Sequence, residues 1–170
     1  MNLIPKALLI VAALGLAACN NPNRYGAGGA GGAGGYGGVN GMGLGNPQDP
    51  NSPAYFKASV GDLVHFVVDQ STLTPEARTI LSGQANWLRA HPNYAARIEG
   101  HADEQGTQEY NLALGARRAA AVQDFLISQW IQPSRLTTIS YGKTRPLAIC
   151  SDEACYSQNR RAQTVLLTGN

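Results

Sequence analysis

The sequence predicts an α/β fold, an α+β sandwich in which helices pack on a single sheet. Strand-like apolar segments alternate with helix-like segments in the order β-α-β-α-β, and one more strand-like segment follows near the C-terminal end. The part with this pattern covers residues 61–170, which is enough chain for one small domain with one core. These observations favour one domain of mixed structure.

The first strand and first long helix are marked by composition and by a cap. Residues 63–69 (LVHFVVD) are rich in branched and aromatic side chains, with Val64, Phe66 and Val68 on one face. The helix that follows has Thr74 as its N-cap and Pro75 at its first position, and Pro92 stops it. Its predicted core positions are Ala77, Ile80, Leu81, Ala85 and Leu88.

Three further strands and a second long helix are predicted in the rest of the domain. Residues 96–101 (ARIEGH), 136–142 (LTTISYG) and 162–168 (AQTVLLT) are predicted strands, and residues 108–130 form the second long helix. At 100° per residue, one stripe of that helix is apolar. The stripe consists of Leu112, Gly115, Ala116, Ala119, Val122, Leu126 and Trp130.

The N-terminal residues look like a targeting segment. Lys6 precedes the apolar run ALLIVAALGL, which ends in LAAC at Cys19. This resembles a bacterial lipoprotein signal, so residues 1–18 are predicted to be removed and Cys19 to carry acyl chains that hold the protein to a membrane. Asn20 after the cysteine indicates transfer to the outer membrane, with the domain facing the periplasm. The alternative is an ordinary secreted protein with an unrelated cysteine.

Residues 19–60 are predicted to be a flexible tether. Twelve of the twenty residues from 26 to 45 are glycine, and residues 25–48 carry no charge, so too little side chain is present to form a core. Without the signal peptide, which contains only Lys6 among the charged residues, 12 basic side chains face 11 acidic ones. This near neutrality gives no electrostatic basis for nucleic-acid binding.

The stretch from residue 100 to 119 (GHADEQGTQEYNLALGARRA) carries most of the chemistry. A zinc deaminase site is excluded by spacing, since His101 and Glu104 are separated by two residues and Cys150 and Cys155 by four. In an exported protein such a cysteine pair predicts a disulfide. Neither a nucleophilic serine motif nor a suitably spaced carboxylate pair is present, so no metal, cofactor or catalytic residue is expected.

Asp103 and Arg118 are the candidate binding residues in this stretch. Asp103 follows a strand and Arg118 flanks the apolar stripe of the next helix, so both point to the carboxyl end of the strands, where α/β sheets bind ligands. A fixed carboxylate and guanidinium suit a zwitterion, an ammonium on one side and a carboxylate on the other. Two alternatives stay open: Asp103 as a turn or capping carboxylate, and a structural salt bridge between the two residues.

Three separated motifs resemble the OmpA-like peptidoglycan-binding family: residues 100–126 (GHADEQGTQEYNLALGARRAAAVQDFL), ISYGKTRP and YSQNRRAQTVLL. The match covers about residues 63–167. Its helix motif, Asn-x-x-Leu-Gly-x-x-Arg-Ala-x-x-Val-x-x-x-Leu, is complete here. It is carried by Asn111, Leu114, Gly115, Arg118, Ala119, Val122 and Leu126.

The resemblance implies non-covalent binding of the peptidoglycan stem peptide at meso-diaminopimelate, gripped by Asp103 and Arg118. It adds Ala102, Asp69 and Leu114 as further contacts and gives Asn111 a supporting role at the helix start. Implied partners are TolB and the other components of the Tol-Pal envelope-integrity and cell-division system. The alternatives are a wall-acting enzyme, such as an amidase or muramidase, and a wall-binding lipoprotein outside that system. HFVVD departs from the usual Phe-x-Phe-Asp of the first strand, which weakens the inference for Asp69.

Overall fold

One four-stranded sheet with its long helices packed on it makes up the domain in the computed structural model, which describes residues 44–168. The predicted α+β sandwich is confirmed, with one additional short helix before the last strand. The strands are Leu63–His65 (β1), Tyr94–His101 (β2), Leu136–Gly142 (β3) and Arg161–Thr168 (β4). The helices are Pro53–Tyr55 (α1), Pro75–Ala90 (α2), Gln108–Ser128 (α3) and Glu153–Asn159 (α4), with a π-helical turn at Phe56–Gly61 and a 3-10 turn at Pro133–Arg135.

The sheet has the order β1-β4-β2-β3. β2 and β3 are parallel, as expected for strands joined by the crossover helix α3, while β4 is antiparallel to both β1 and β2. The end of β2 is therefore flanked by β3 and by the start of β4: Gly100 pairs with Ser140 on one side and with Ala162 on the other. This places the residues after β2 beside the residues that precede β4.

Helix α2 forms as its sequence predicts. The Thr74 hydroxyl accepts a hydrogen bond from the Ala77 amide, and Pro75 occupies the first turn. The helix ends at Ala90, just before Pro92. Four of the five predicted core positions are fully buried, and Ile80 is half-buried against the same cluster.

Helix α3 is rotated relative to the predicted stripe and ends two residues earlier than predicted. Leu112 is 48% exposed, Ala116 is exposed and Trp130 is 84% exposed, so these three assignments were wrong. The close approach of Gly115 to Gly100 of β2 turns Leu114 and Arg118 inward, because a Cβ on Gly115 would lie 2.8 Å from the Gly100 carbonyl oxygen. The buried face is Asn111, Leu114, Gly115, Arg118, Ala119, Val122 and Leu126.

The first strand is shorter than predicted. β1 pairs with β4 over three residues only, and the last ladder-like bond joins the Phe66 amide to the Arg160 carbonyl. The chain then turns, with the Gln70 amide bonded to the Val67 carbonyl. Val68, predicted to share a face with Val64 and Phe66, is 48% exposed as a result, whereas those two side chains are buried.

The predicted tether extends too far toward the domain. Residues 50–61 pack along α2: the Trp87 indole donates to the Pro50 carbonyl at 2.8 Å, Phe56 is 1% exposed, and the Gln84 side chain donates to the Gly61 carbonyl at 2.7 Å. Phe56 and Trp87 lie edge to face, an arrangement that aromatic pairs favour. Both side chains are buried, although a glycine-rich tract precedes Phe56. The predicted signal peptide, Cys19 and the tether up to residue 43 lie outside the described residues. No helix between residues 44 and 168 is long and apolar enough to cross a membrane.

Candidate functional site

A cleft of about 280 Å³ opens where the loop after β1, the turn after β2 and the first turns of α3 meet. Three of the predicted ligand-binding residues, Asp69, Asp103 and Leu114, line this cleft together with Asn111. The parallel arrangement of β2 and β3 explains the location, because the loop leaving β2 must turn outward to begin the crossover helix. Asp69 and Asp103, which are 34 positions apart in the sequence, thus face one cavity.

Asp103 is held in a turn and paired with an arginine. Its side chain is 7% exposed; Oδ1 accepts from the Gln105 amide at 3.3 Å, and Oδ2 lies 3.2 Å from Nη1 of Arg160. The role of turn carboxylate, left open by the sequence, is therefore present. Among the ion pairs of residues 44–168, the partner of Asp103 is Arg160 and not Arg118.

Arg118 lies deeper than predicted, with no exposed surface. Its guanidinium donates to the carbonyl oxygens of Gln70 at 2.8 Å, His101 at 2.8 Å and Val67 at 3.2 Å. Burial lowers the pKa of Arg118 to about 10, while the nearby Asp103 raises it, so the side chain stays charged at neutral pH. Arg118 therefore joins the loop after β1 to the end of β2, and each terminal nitrogen keeps a second N–H.

The other predicted site residues support the cleft walls. Asp69 has a left-handed φ of 56° and accepts a hydrogen bond from the Tyr110 hydroxyl. Asn111 is buried and donates to the Gln105 carbonyl at 2.6 Å, which fixes the turn before α3. Ala102 is buried, and its amide donates to the Gly142 carbonyl. Ligand contact by any of these residues stays a prediction.

Sequence reasoning missed the role of Arg160. This residue is 5% exposed and bonds to Asp103, to Glu153 at the start of α4 and to the Phe66 carbonyl. Asn159 beside it is fully buried and donates to Glu104 at 2.6 Å. The available indication was the sequence NRRAQ, which puts two arginines directly before an apolar strand. Charges at the start of a buried strand need partners, and carboxylates after β2 are within reach.

Cys150 and Cys155 form a disulfide with a Cα–Cα distance of 5.7 Å. Together with Asp152 they are a group of side chains close enough to share a metal ion, with ligand atoms within 4.8 Å of one another. The two sulfurs are bonded to each other, however, and a disulfide lacks the thiolates that bind metals. The pair therefore closes the loop before α4.

His101 is buried beside the site without a role in the cleft. It is 1% exposed, packs on Tyr141, and neither ring nitrogen has a hydrogen-bond partner within residues 44–168. Burial, with Arg161 and Arg145 nearby, lowers its pKa to about 3 from the ordinary 6.5. The imidazole is therefore neutral at physiological pH, and the site gains no charge from it.

Acid should destabilise the domain through His101. Between pH 6.5 and 3 the unfolded chain binds a proton at this residue that the folded chain does not, so the free energy of unfolding falls as the pH falls through that window. We expect a loss of roughly 2–4 kcal/mol from this residue. Urea unfolding at pH 6.5 and 4.5 measures it. His101→Phe should show a shallower pH dependence than the wild type, and the same substitution at the exposed His65 should not; equal slopes would contradict the assignment.

Known proteins are similar to this chain in both sequence and fold. The OmpA family model matches residues 65–161. The peptidoglycan-associated lipoprotein of Agrobacterium fabrum is 49% identical over 168 residues, which cover 95% of this chain and 87% of the relative. The peptidoglycan-associated lipoprotein of Haemophilus influenzae is 39% identical over 169 residues, covering 95% of this chain and 97% of the relative.

Two solved structures extend the comparison. The crystal structure of the peptidoglycan-associated lipoprotein from Burkholderia pseudomallei matches with a TM-score of 0.63 at 37% identity, covering 72% of this chain and all of that one. The C-terminal domain of Helicobacter pylori MotB matches with a TM-score of 0.59 at 22% identity, over 63% of this chain and 84% of that one. At that identity the second match concerns the fold alone.

Proposed function

Because the chain belongs to the OmpA family and, within it, to the peptidoglycan-associated lipoproteins, we propose that its domain binds peptidoglycan non-covalently. The ligand group is the free amino-acid end of meso-diaminopimelate in the stem peptide. The observation that carries this proposal is the cleft beside β2, where the buried carboxylate of Asp103 lies in the field of the buried guanidinium of Arg118.

The charges of the cleft match a zwitterion in sign. Asp103 lines the cavity and offers its carboxylate to an ammonium group. Arg118 uses one N–H of each terminal nitrogen on a backbone carbonyl, and we propose that the second N–H groups hold the ligand carboxylate. Asp103 is already fixed by the fold. Arg118 has no exposed surface and does not line the cleft, so the loop after β1, which covers its guanidinium, must shift for the ligand carboxylate to reach it.

Selectivity follows from the carboxylate of diaminopimelate. A stem peptide with lysine at the same position carries the ammonium but lacks the carboxylate, so the second N–H groups of the buried Arg118 would gain no acceptor when it binds. An unpaired buried charge costs about 2–5 kcal/mol. The domain should therefore prefer the diaminopimelate type of wall.

Attachment at both ends would make the protein a link between membrane and wall. We propose that Cys19 is acylated after removal of residues 1–18 and that the glycine-rich residues span the distance from the outer membrane to the domain. We also propose TolB and the Tol-Pal system as partners, on family membership alone. The intact mass of the mature protein tests the acylation, and an unmodified Cys19 thiol would contradict it.

Titration of residues 20–170 with a diaminopimelate stem peptide tests the binding. We expect the peptide to bind at least about 30-fold more tightly than its lysine analogue, which corresponds to about 2 kcal/mol. Asp103→Asn should weaken binding by a similar factor, because it removes the charge that meets the ammonium while keeping the side chain's size. Isothermal calorimetry measures both effects.

Asp124→Asn is the matched control, since it removes an exposed carboxylate from the outer face of α3 and should leave the dissociation constant unchanged. Equal affinity for the two peptides would contradict the proposed ligand. Incubation with purified sacculi distinguishes the enzyme alternative: release of soluble muropeptides over time would indicate an amidase or muramidase instead of a binding domain.

A further inference from the structure

Arg160 lies between two carboxylates, one that lines the cleft and one at the start of α4. On one side, Nη1 is 3.2 Å from Oδ2 of Asp103, the cleft residue. On the other side, Nη1 is 3.2 Å from Oε2 of Glu153, and Nη2 bonds to Oε1 of the same residue. Glu153 thus receives a two-pronged contact from the guanidinium, and Asp103 receives a single one. Paired contacts of this kind are the stronger form of an arginine–carboxylate bond.

The pKa shifts of Arg160 and Glu153 agree with a stronger contact to Glu153 than to Asp103. The pKa of Arg160 is raised, first by the hydrogen bond to Glu153 and only then by Asp103, with burial acting in the opposite direction. The pKa of Glu153 is lowered, chiefly by its hydrogen bond to Arg160. Glu153 therefore accepts two of the four hydrogen bonds that the Arg160 side chain donates, although its own side chain is 67% exposed; Asp103 and the Phe66 carbonyl accept one each.

An ammonium ligand would compete with Arg160 for the oxygens of Asp103. With Glu153 present, Arg160 and the two carboxylates carry a net charge of −1 next to the cleft, which favours a cation. Without Glu153, the net charge is zero and Nη2 is free to turn to Asp103. The carboxylate would then be paired twice within the protein, and less of its charge would be available to the ligand.

The disulfide fixes the position of Glu153. Glu153 is the first residue of α4, a helix of seven residues whose N-cap is Asp152. A helix this short is marginal by itself. The bond between Cys150 and Cys155 joins the preceding loop to the first turn of α4, directly across Glu153. Opening the disulfide would free the loop and with it the carboxylate that engages Arg160.

We propose that Glu153 is a positioning residue that keeps Asp103 available to the ligand by engaging Arg160, and that the Cys150–Cys155 disulfide holds Glu153 in that place. The inference rests on the proposed function, because it concerns the ligand affinity of the same cleft. It assigns a role to α4 and its disulfide, which contribute no residue to the lining of the cleft.

The first test is Glu153→Gln in residues 20–170, titrated with the diaminopimelate stem peptide. We expect the dissociation constant to rise about 5- to 20-fold, within the range of measured couplings between close charges. Glu76→Gln is the matched control, an exposed glutamate in the first turn of α2, and should leave the constant unchanged. Glu153→Asp keeps the charge and should restore part of the affinity, which a purely structural role of the glutamate would not predict.

The second test is reduction of the disulfide. Reductant should weaken binding by the wild type to about the level of Glu153→Gln, and it should have little further effect on that variant, because both changes act through the same contact. A Cys150→Ser/Cys155→Ser variant repeats the measurement without reductant. Thermal unfolding of each variant checks that the domain stays folded during the titration.

The outcomes separate this inference from the proposed function. If the wild type binds the peptide and Glu153→Gln binds equally well, the role of Glu153 is wrong and the proposed function stands. If Glu153→Gln weakens binding but reduction does not, the role of the disulfide is wrong. If the wild type does not bind the peptide at all, the proposed function fails, and this inference fails with it.

Discussion

Gly100→Ala should prevent the domain from folding stably. A Cβ at Gly100 would lie 1.8 Å from the carbonyl oxygen of Gly115 and 2.7 Å from its carbonyl carbon. Both atoms belong to the backbone of α3, so no side chain can move aside, and β2 must separate from the helix that covers it. Ala119 and Val122 would lose their packing on the sheet. We expect a loss of at least about 4 kcal/mol, a large share of the stability of a small domain.

Urea unfolding followed by circular dichroism measures this effect. Gly83→Ala is the matched control, because a Cβ there meets only Cγ1 of Val60 at 3.6 Å, an ordinary contact. Gly83 lies inside α2, where alanine is the better helix former, so this variant should gain about 0.5–1 kcal/mol. The same chemical change thus has opposite expected signs at the two glycines. A wild-type unfolding midpoint for Gly100→Ala would contradict the close packing of α3 on β2.

Arg118→Ala should lower both stability and ligand binding. The substitution removes the donor to the Gln70, His101 and Val67 carbonyls, and leaves them without that partner in the buried space behind the cleft. We expect a loss of about 3–5 kcal/mol in the free energy of unfolding. The loop after β1 would also lose its link to the end of β2. Loss of binding by this variant therefore does not by itself identify a ligand contact.

Arg117→Ala provides the comparison at the neighbouring residue. Arg117 is exposed on the outer face of α3, so its removal should change stability by no more than about 0.5 kcal/mol. Arg118→Lys keeps the charge but replaces a planar fork by one ammonium, and should recover only part of the stability. If Arg118→Ala unfolds at the same urea concentration as Arg117→Ala, the three carbonyl contacts do not stabilise the domain.

Elements with local markers could be predicted closely from the sequence. The start of α2 is fixed by Thr74 and Pro75, whose capping role depends only on residues within one turn. The strand at residues 136–142 has the predicted ends, and the last strand begins one residue earlier than predicted. In these segments the local pattern and the tertiary structure favour the same result, so little information from distant residues was needed.

Features set by distant contacts could not be predicted. The rotation of α3 depends on Gly115 meeting Gly100, and periodicity alone does not show that two glycines in different elements will touch. Phe56 lies in no obvious strand or helix pattern, and it is buried by contacts with residues far away in the sequence, Trp87 of α2 among them. Asp103 and Arg118 were predicted as a pair of ligand-binding residues, which stays a prediction, and the pairing of Asp103 with Arg160 joins residues 57 positions apart. Neither sequence neighbourhood indicates that pairing.

The packing of Phe56 against Trp87 has a mechanical consequence. Residues 44–56 include Pro50 and Asn51, which bond to Trp87 and His91 at the end of α2. Arg89 in the same turn of α2 bonds to Gln129 at the end of α3, whereas the cleft lies at Asn111 near the start of α3. These ends are separated by about 27 Å along the helix axis. A force applied at residue 44 and resisted at the cleft would load the whole length of the domain. It would act first on the hydrogen bonds of Pro50 with Trp87 and of Asn51 with His91, then on the contact of Phe56 with Trp87, and only afterwards on β1, which pairs over three residues. The residues before β1 should therefore detach before the sheet opens.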